Sequence, residues 1–365
     1  MNEFTFTYDL LIWPLLTFLS VMGIIPWVRV WAKEIGLVDK PNSRKVHDGL
    51  IPLIGGIVVF PVFMISLLIA GFPIEKHWAL FLAITIMLIT GVIDDRHEIR
   101  SWIKFAIQFV AAFLIVVPGG AQVFQLGNLF GFGDVGLDFM SLPFSIIAVV
   151  LLINAINLMD GLDGLSGGTV FIILGWFLYA AYGGGTEGQF VSIMMLMGAI
   201  AGFLTFNMRG PFRRRASVFM GDAGSLSMGL MVAWYAITLS PEHARVIEPI
   251  SVAWVLAIPI WDECAQFYRR VKEGRHPFSP DKGHFHHHFL KAGFTPRAGA
   301  RSVLIIVFLG GLIGVFGAQF LHVPLPVLTV VWIIGILGHM TLSRNLEIYP
   351  AFIKRFFKVD IENNS

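Results

Sequence analysis

The stretch Asn154–Gly168, NAINLMDGLDGLSGG, interrupts an apolar segment with two Asn and two Asp. A carboxylate within a membrane segment costs about 2.5 to 3.5 kcal/mol even on the lenient insertion scale, so such groups usually face a site. Asn154, Asn157, Asp160 and Asp163 stand three residues apart. A helical reading places all four on one stripe. Gly161, Gly164, Gly167 and Gly168 would let a ligand or a second backbone approach closely. An interhelical hydrogen-bonded seam is the bland alternative, but such seams favour neutral Ser, Thr and Asn over paired acids.

Four more polar motifs carry chemistry. GLVDKPNSRKVHDGLIPLIGG, from Gly36 to Gly56, places Lys40, Arg44 and Lys45 before a glycine pair that opens a span. GVIDDRHEIRSWIK holds adjacent Asp94 and Asp95, Glu98 a turn later and Lys104 at the mouth of the next apolar run. Adjacent carboxylates repel unless a cation or a shared proton sits between them. In VFMGDAGSLSMG, Asp222 lies between Gly221 and Gly224 after the basic group Arg209, Arg213, Arg214 and Arg215. Amides at a helix N-terminus with cations nearby bind anions, and an Asp there suggests that a metal completes the position. Finally, HPFSPDKGHFHHHFLKAGF holds His276, His284, His286, His287 and His288 among Arg275, Lys282 and Lys291. It lacks the mixed Cys/His spacing of structural zinc sites, and its basic setting favours phosphate or sugar hydroxyls. Acids for a divalent metal, glycines for close approach and Lys, Arg and His for anions are together what phosphoryl transfer needs. At a membrane face the substrates should be one soluble phosphate compound and one lipid phosphate.

The elements that position these groups follow from composition. With 365 residues, 56% hydrophobic, 14% charged and a mean hydropathy of +0.75, the chain reads as an all-α polytopic membrane protein. The single Cys264 excludes a disulfide framework and a Cys-based zinc site. A net charge of +2 gives no footprint of a nucleic-acid partner, and the oligomeric state stays open. Glu3 and Asp9 precede the first apolar run where a signal peptide would carry basic residues, so that run reads as a retained helix. Apolar runs near 10–31, 50–70, 77–93, 103–119, 141–157, 168–182, 190–206, 226–240, 249–267, 302–321 and 323–342 predict about eleven transmembrane helices. With the N-terminus outside, only Lys76 and Arg245 of the 26 Lys and Arg fall on the outer face, which sets the C-terminus and every polar motif on the cytoplasmic side. The expected organisation is one integral membrane catalytic domain over 1–342 and a basic cytoplasmic tail over 343–365, where Lys354, Arg355 and Lys358 would rest against anionic headgroups of the lipid bilayer.

Other chemistries fit less well. A transporter or ion channel would spread its polar groups through the bilayer and over both faces, whereas here they collect on one. A prenyltransferase would need two DDxxE-like motifs. Phe219 two residues before Gly221 breaks the Gly-x-Gly-Asp pattern of an intramembrane aspartyl protease, and Gly164–Gly168 matches G-x-S-x-G without a strand-to-helix turn.

At these residues the chain resembles the polyprenyl-phosphate N-acetylhexosamine-1-phosphate transferases, within them the bacterial WecA-like branch. The resemblance runs from about Gly36 to Gly293. It rests on the pair Asp94 and Asp95, NxxNxxDGLDGL from Asn154, VFMGDAGS from Val218 and SPDxxHxHH from Ser279 to His287. It implies transfer of a sugar-1-phosphate, with GlcNAc the favoured sugar and FucNAc or QuiNAc as alternatives, from a UDP-N-acetylhexosamine to undecaprenyl phosphate. UMP would be released, with Mg2+ as cofactor (Mn2+ substituting) at the bacterial cell inner membrane, initiating a lipid-linked envelope glycan such as O-antigen lipopolysaccharide. Carried over position by position, it implies that Asp222 and Asn157 hold the metal on the diphosphate and that Lys104 contacts phosphate. Asp94 and Asp95 would orient or deprotonate the lipid phosphate. Asp160 and Asp163 would line the nucleotide pocket with Phe219 beside the uracil, Asn154 and Lys45 would assist substrate binding, and His284, His286 and His287 would contact the sugar phosphate. Glu98, Phe285 and His288 depart from the pattern, and the triplet His286–His288 is shared with the phospho-MurNAc-pentapeptide transferases, but SPDKGH fits the WecA-like branch.

Overall fold

A computed structural model describes residues 9–39, 49–210, 215–240, 246–275 and 283–357. The described residues are predominantly helical, and their strands are two-residue pieces, β1 (Val38–Asp39) and β2 (Ile51–Pro52), paired antiparallel. Among the described residues, seven helices are long and apolar enough to cross a membrane, or eight if one bent pair counts as a single span. This is a multi-pass membrane protein. The described helices fall into two compact units, Met1–Gln125 with Gly136–Glu248 and Leu126–Val135 with Pro249–Ser365.

The first unit contains α1 (Asp9–Glu34), α2 (Gly55–Ile69), α3 (Ile74–His97), α4 (Ser101–Val116), α5 (Ser141–Leu158), α6 (Leu165–Gly184), α7 (Glu187–Asn207) and α8 (Gly221–Thr238). Its axis is α8, in which every residue but Asp222 and Thr238 is buried. Small residues make that position tenable, because without bulk at the seam backbones approach closely in lipid. A Cβ on Gly56 of α2 would lie 2.1 Å from the Gly224 nitrogen, and one on Gly91 of α3 would lie 2.1 Å from that of Ala223. On the far side Gly229 abuts the α5 backbone, 2.6 Å from the Ile153 Cα by the same measure. Apolar side chains of α1 such as Leu15, Leu19 and Val30 are exposed, as a lipid-facing surface requires.

Several boundaries differ from the sequence reading for one reason: an apolar run marks lipid depth, not helix length. Helix α3 continues past residue 93 through His97, so Asp94 and Asp95 lie in its last turn instead of in a loop. It ends where Glu98 turns left-handed, φ 47°. Helix α8 starts at Gly221, ahead of the apolar run near 226, and so has Asp222 in its first turn, at the helix N-terminus expected for it. Two further apolar runs form helices of 15 and 16 residues, α2 and α4, short of the roughly 20 that a full span prefers.

The second unit holds α9 (Pro249–Val255), α10 (Ala257–Lys272), α11 (Phe285–Lys291), α12 (Pro296–Gly311), α13 (Gly317–Gln319), α14 (Leu325–Ser343) and α15 (Ile348–Phe357). The run near 249–267 is broken at Leu256, where α9 and α10 meet at 74°. A π turn at Leu312–Phe316 joins α12 to α13. Trp254 presses on it, since a Cβ on Gly314 would lie 2.3 Å from the Trp254 Cβ, and the Ser251 hydroxyl donates to the Gly314 carbonyl at 2.7 Å. Such turns arise where a side chain intrudes on the helical ladder. Residues after 342, expected as a tail, include α15, which buries Tyr349, Pro350 and Ile353 and exposes Phe352 and Phe356.

Candidate active site

Four helix ends of the first unit converge on Asp222. The Lys104 ammonium, in the first turn of α4, donates to Asp222 Oδ2 at 2.8 Å and also pairs with Asp94. Asn157, one residue from the end of α5, donates through Nδ2 to Asp222 Oδ1 at 2.9 Å and to the Ser225 hydroxyl at 2.8 Å. Asp95 does something different from its neighbour: its two oxygens accept the Asp222 and Ala223 amides at 2.9 and 3.3 Å. Those are among the first amides of α8, which have no partner within the helix, so a carboxylate there also complements the helix dipole. Gly221 is required for this contact. Its φ is +71°, and a Cβ would stand 2.5 Å from Asp95 Oδ2. Asp94 Oδ1 in turn accepts the Ile99 amide at 2.6 Å. Lys104 beside Asp94 and the α8 amides on Asp95 thus relieve the repulsion expected between adjacent carboxylates. One turn deeper, Asn154 exchanges hydrogen bonds with Gln108 at 2.6 and 3.3 Å and donates to the Val150 carbonyl.

The expected single stripe is corrected at its second half. Helix α5 ends at Leu158 and α6 starts at Leu165, so Asp160 and Asp163 lie in the turn between them. Asp and Gly are poor helix residues, and Gly164 takes φ +78°. The exposed Asp160 accepts the Ser166 hydroxyl at 2.5 Å. Asp163 accepts Arg209 Nε at 2.6 Å and the Ala216 amide at 3.1 Å. The Gly164 amide donates to Asn207 Oδ1 at 2.8 Å, and Asn207 Nδ2 donates to the Val218 carbonyl at 3.0 Å. Thus the turn is tied to the segment leading into α8. Half-buried Phe219 belongs to that segment, bridging Leu53 and donating its amide to the Pro52 carbonyl at 2.9 Å. Lys45, Lys40, Arg44, Arg213 and Arg214 lie outside the described residues, as do His276, Asp281 and Lys282. Gln108, Asn207 and Ser225 were not singled out in the sequence. Gln108 sits in an apolar run, where an intramembrane amide was the available signal.

The His segment belongs to the second unit. His284 caps α11 in an extended conformation and is buried, with Nδ1 3.2 Å from Asp262 Oδ2 and Nε2 3.4 Å from Arg270 Nη2. Burial disfavours charge on that ring, but the Asp262 carboxylate outweighs it and raises the pKa above the ordinary value. His286 is buried and pushed down to about 3, by burial first and then by His287. Burial also lowers His288, to about 4. His287 is the half-buried member of the group. Among the described residues no three His, Cys, Asp or Glu side chains converge as a metal site. In the first unit, however, Asp222 offers a carboxylate and Asn157 an amide oxygen that accepts no bond from a described residue. One or two carboxylates with substrate phosphate oxygens and water are what magnesium uses, so this hard-oxygen donor set fits it.

Comparison with known proteins agrees with this geometry. A family profile described as Glycosyl transferase family 4 matches residues 77–240, which include Asp94, Asp95, Lys104, Asn157 and Asp222. The chain is 34% identical over 357 residues, 98% of its length and 96% of the relative's, to an undecaprenyl-phosphate alpha-N-acetylglucosaminyl 1-phosphate transferase of Yersinia pestis. It is 34% identical to the protein of that name in Escherichia coli K12, over 98% of this chain and 94% of the other. The one from Haemophilus influenzae is 33% identical over 83% and 86%. The chain is therefore an enzyme that transfers a phosphosugar, and it belongs to glycosyl transferase family 4, among the polyprenyl-phosphate N-acetylhexosamine-1-phosphate transferases of the WecA-like branch.

Proposed function

We infer that the protein transfers GlcNAc-1-phosphate from UDP-GlcNAc to undecaprenyl phosphate and releases UMP. The observation that carries this reading is the Asp94–Lys104–Asp222 chain of ion pairs, at the meeting of four helix ends, in a protein whose relatives bear that activity in their names. An oxygen of the lipid phosphate forms a bond to the β-phosphorus of the nucleotide sugar, the bond from that phosphorus to the bridging oxygen breaks, and UMP leaves with the electron pair. A phosphate monoester with a second pKa of about 6 is already largely ionised at neutral pH, so no strong base is needed. What the protein must supply is orientation and charge balance.

The residues divide that work. Lys104 sets a positive charge against the phosphates, and Asp94 fixes the ammonium and orients the incoming lipid phosphate. Asp222 and Asn157 would hold Mg2+, with Mn2+ able to substitute, which when bound would supply positive charge against the diphosphate and the departing UMP. Asp160 and Asp163, in the turn held by Arg209, would meet the nucleotide with Phe219 beside the uracil, and Asn154 would support them from below. Lys45 would add a cation to substrate binding. In the second unit His287 would meet the sugar phosphate, with His284 and His286 as its buried supports. All eleven apolar runs would cross the bacterial inner membrane, N-terminus outside and C-terminus inside, with the active site on the cytoplasmic face. The transferred product would start a lipid-linked envelope glycan. Incubating purified protein with undecaprenyl phosphate and a panel of UDP-sugars tests the reading: UMP release with UDP-GlcNAc is expected, and release only with UDP-FucNAc or UDP-QuiNAc would replace the sugar.

A further inference from the structure

The largest set of buried polar groups outside the Asp222 cluster lies on α10. Asp262 there is 3% exposed, Gln266 is fully buried and Arg270 is 2% exposed. All three turn toward the start of the His segment. Asp262 Oδ1 accepts the Phe285 amide at 3.0 Å and Gln266 Nε2 at 3.1 Å, while Oδ2 faces His284 Nδ1 at 3.2 Å. Gln266 Nε2 also donates to the Gly283 carbonyl at 2.7 Å. One helix face thus holds three consecutive residues, Gly283, His284 and Phe285, immediately ahead of His286 and His287.

We propose that Asp262 is a positioning residue for transfer: by holding the His284 ring and the Phe285 amide from within the helix bundle, it fixes where α11 begins and how it presents His287. The proposal deepens the reading given above and rests on the His segment meeting the sugar phosphate. Its physical basis is the cost of the alternative. A buried carboxylate that lost these donors would be an uncompensated charge, so the segment is held with His284 in place. Asp262 only accepts and Arg270 only donates, so Nδ1 of His284 carries the proton whether or not the ring is charged. Other polar groups near the pair have other duties. The His339 Nε2 is 3.9 Å from Asp262 Oδ1 and its Nδ1 meets the Tyr349 hydroxyl at 2.9 Å, while Glu263 acts on the His284 ring electrostatically.

The test separates support from contact. Asn can place its Nδ2 where His has Nδ1, whereas Gln reaches only toward Nε2, so both substitutions at His284 probe the hold with Asp262 left intact. In the full-length detergent-purified protein, His284→Asn should transfer at least tenfold faster than His284→Gln, with the KM for undecaprenyl phosphate changed less than twofold in either. Asp262→Asn should lower kcat/KM for UDP-GlcNAc at least tenfold. It should also shift the 15N signal of His284 Nδ1, assigned by its loss in His284→Asn, because the hydrogen bond to a charged carboxylate is gone. Equal loss in the Asn and Gln variants would overturn the proposal, because the ring would then be needed for itself. So would an Asp262→Asn protein with native rates and an unshifted His284 signal. Unchanged transfer by His287→Ala would strike instead at the reading of the segment, a result distinguishable because the His284 signal would still follow Asp262.

Discussion

Asp94 and Asp95 are adjacent in sequence but differ in what they hold. Asp95 spends both oxygens on the first amides of α8, whereas Asp94 balances Lys104. Asp95→Asn keeps one acceptor and turns an N–H2 toward the second amide, which should cost about 1 to 2 kcal/mol of stability. Its transfer rate should fall by a factor that does not change between pH 5.5 and 8. Asp94→Asn should leave the melting temperature closer to native and lower kcat more. Melting curves beside pH–rate profiles check both, and a loss in Asp95→Asn that deepens as pH falls would make Asp95 a base. The pair's importance was legible from sequence, because two acids ending an apolar run need partners. Its division of labour was not, since that depends on α3 running one turn beyond the apolar residues and meeting α8.

Among the elements, α8 is the one whose sequence explains its place, and its glycine contacts give the sharpest test. Gly91→Ala puts a methyl group 2.1 Å from backbone that has nowhere to move. We expect a loss of at least 2 to 3 kcal/mol, or about a hundredfold in activity, from the overpacking and the displaced Asp222. Gly183→Ala, with nothing within 4 Å of the new atom, should stay near native in melting and in rate. In α11 the buried His286 and His288 give a pH dependence whose sign is fixed. Both are held below the ordinary histidine value while the unfolded chain titrates near 6.5, so the unfolded state takes up protons first on acidification. Their stability is complete above 6.5 and is lost as pH falls toward about 4 for His288 and about 3 for His286. His284, shifted the other way, partly offsets this, contributing most below 6.5. The melting temperature should fall between pH 7 and 5, and fall less in a His286→Asn, His288→Asn double variant. A steeper fall in the double variant would contradict this account. The sequence showed these histidines as a cluster in a basic loop, but nothing in their spacing could reveal that the fold buries two of them, His286 and His288, with α12 and α15 packed against α11. The same limit explains Asp160 and Asp163: three-residue spacing matches a helix whether or not glycines end it first.

For the molecule as a whole, hydropathy gave the class and most of the spans, because lipid depth is written in contiguous apolar residues. It did not foresee the 74° break at Leu256 or the two-residue strands, which depend on packing partners far away in sequence. The orientation drawn from Lys and Arg has its own test. Single cysteines at His287 and Lys354 in a Cys264→Ser background should resist an impermeant thiol reagent in intact cells and react after permeabilisation. Reaction of both in intact cells would invert the orientation and, with it, the face on which transfer occurs.

The Lys104 ammonium, lodged between Asp94 and Asp222, also bears on how the enzyme lives without substrate. A centre of three carboxylates normally depends on a bound ion for its integrity, and stripping that ion loosens the fold. Here the chain carries its own cation, covalently attached and impossible to chelate. The resting enzyme should therefore melt within about 1 °C of the same temperature with and without EDTA, although EDTA should abolish turnover. A drop of several degrees on chelation would mean that the metal is a structural part of the resting protein. If the melting temperature holds, the fold does not depend on the metal, and the protein can wait in the membrane through swings in magnesium supply without unfolding.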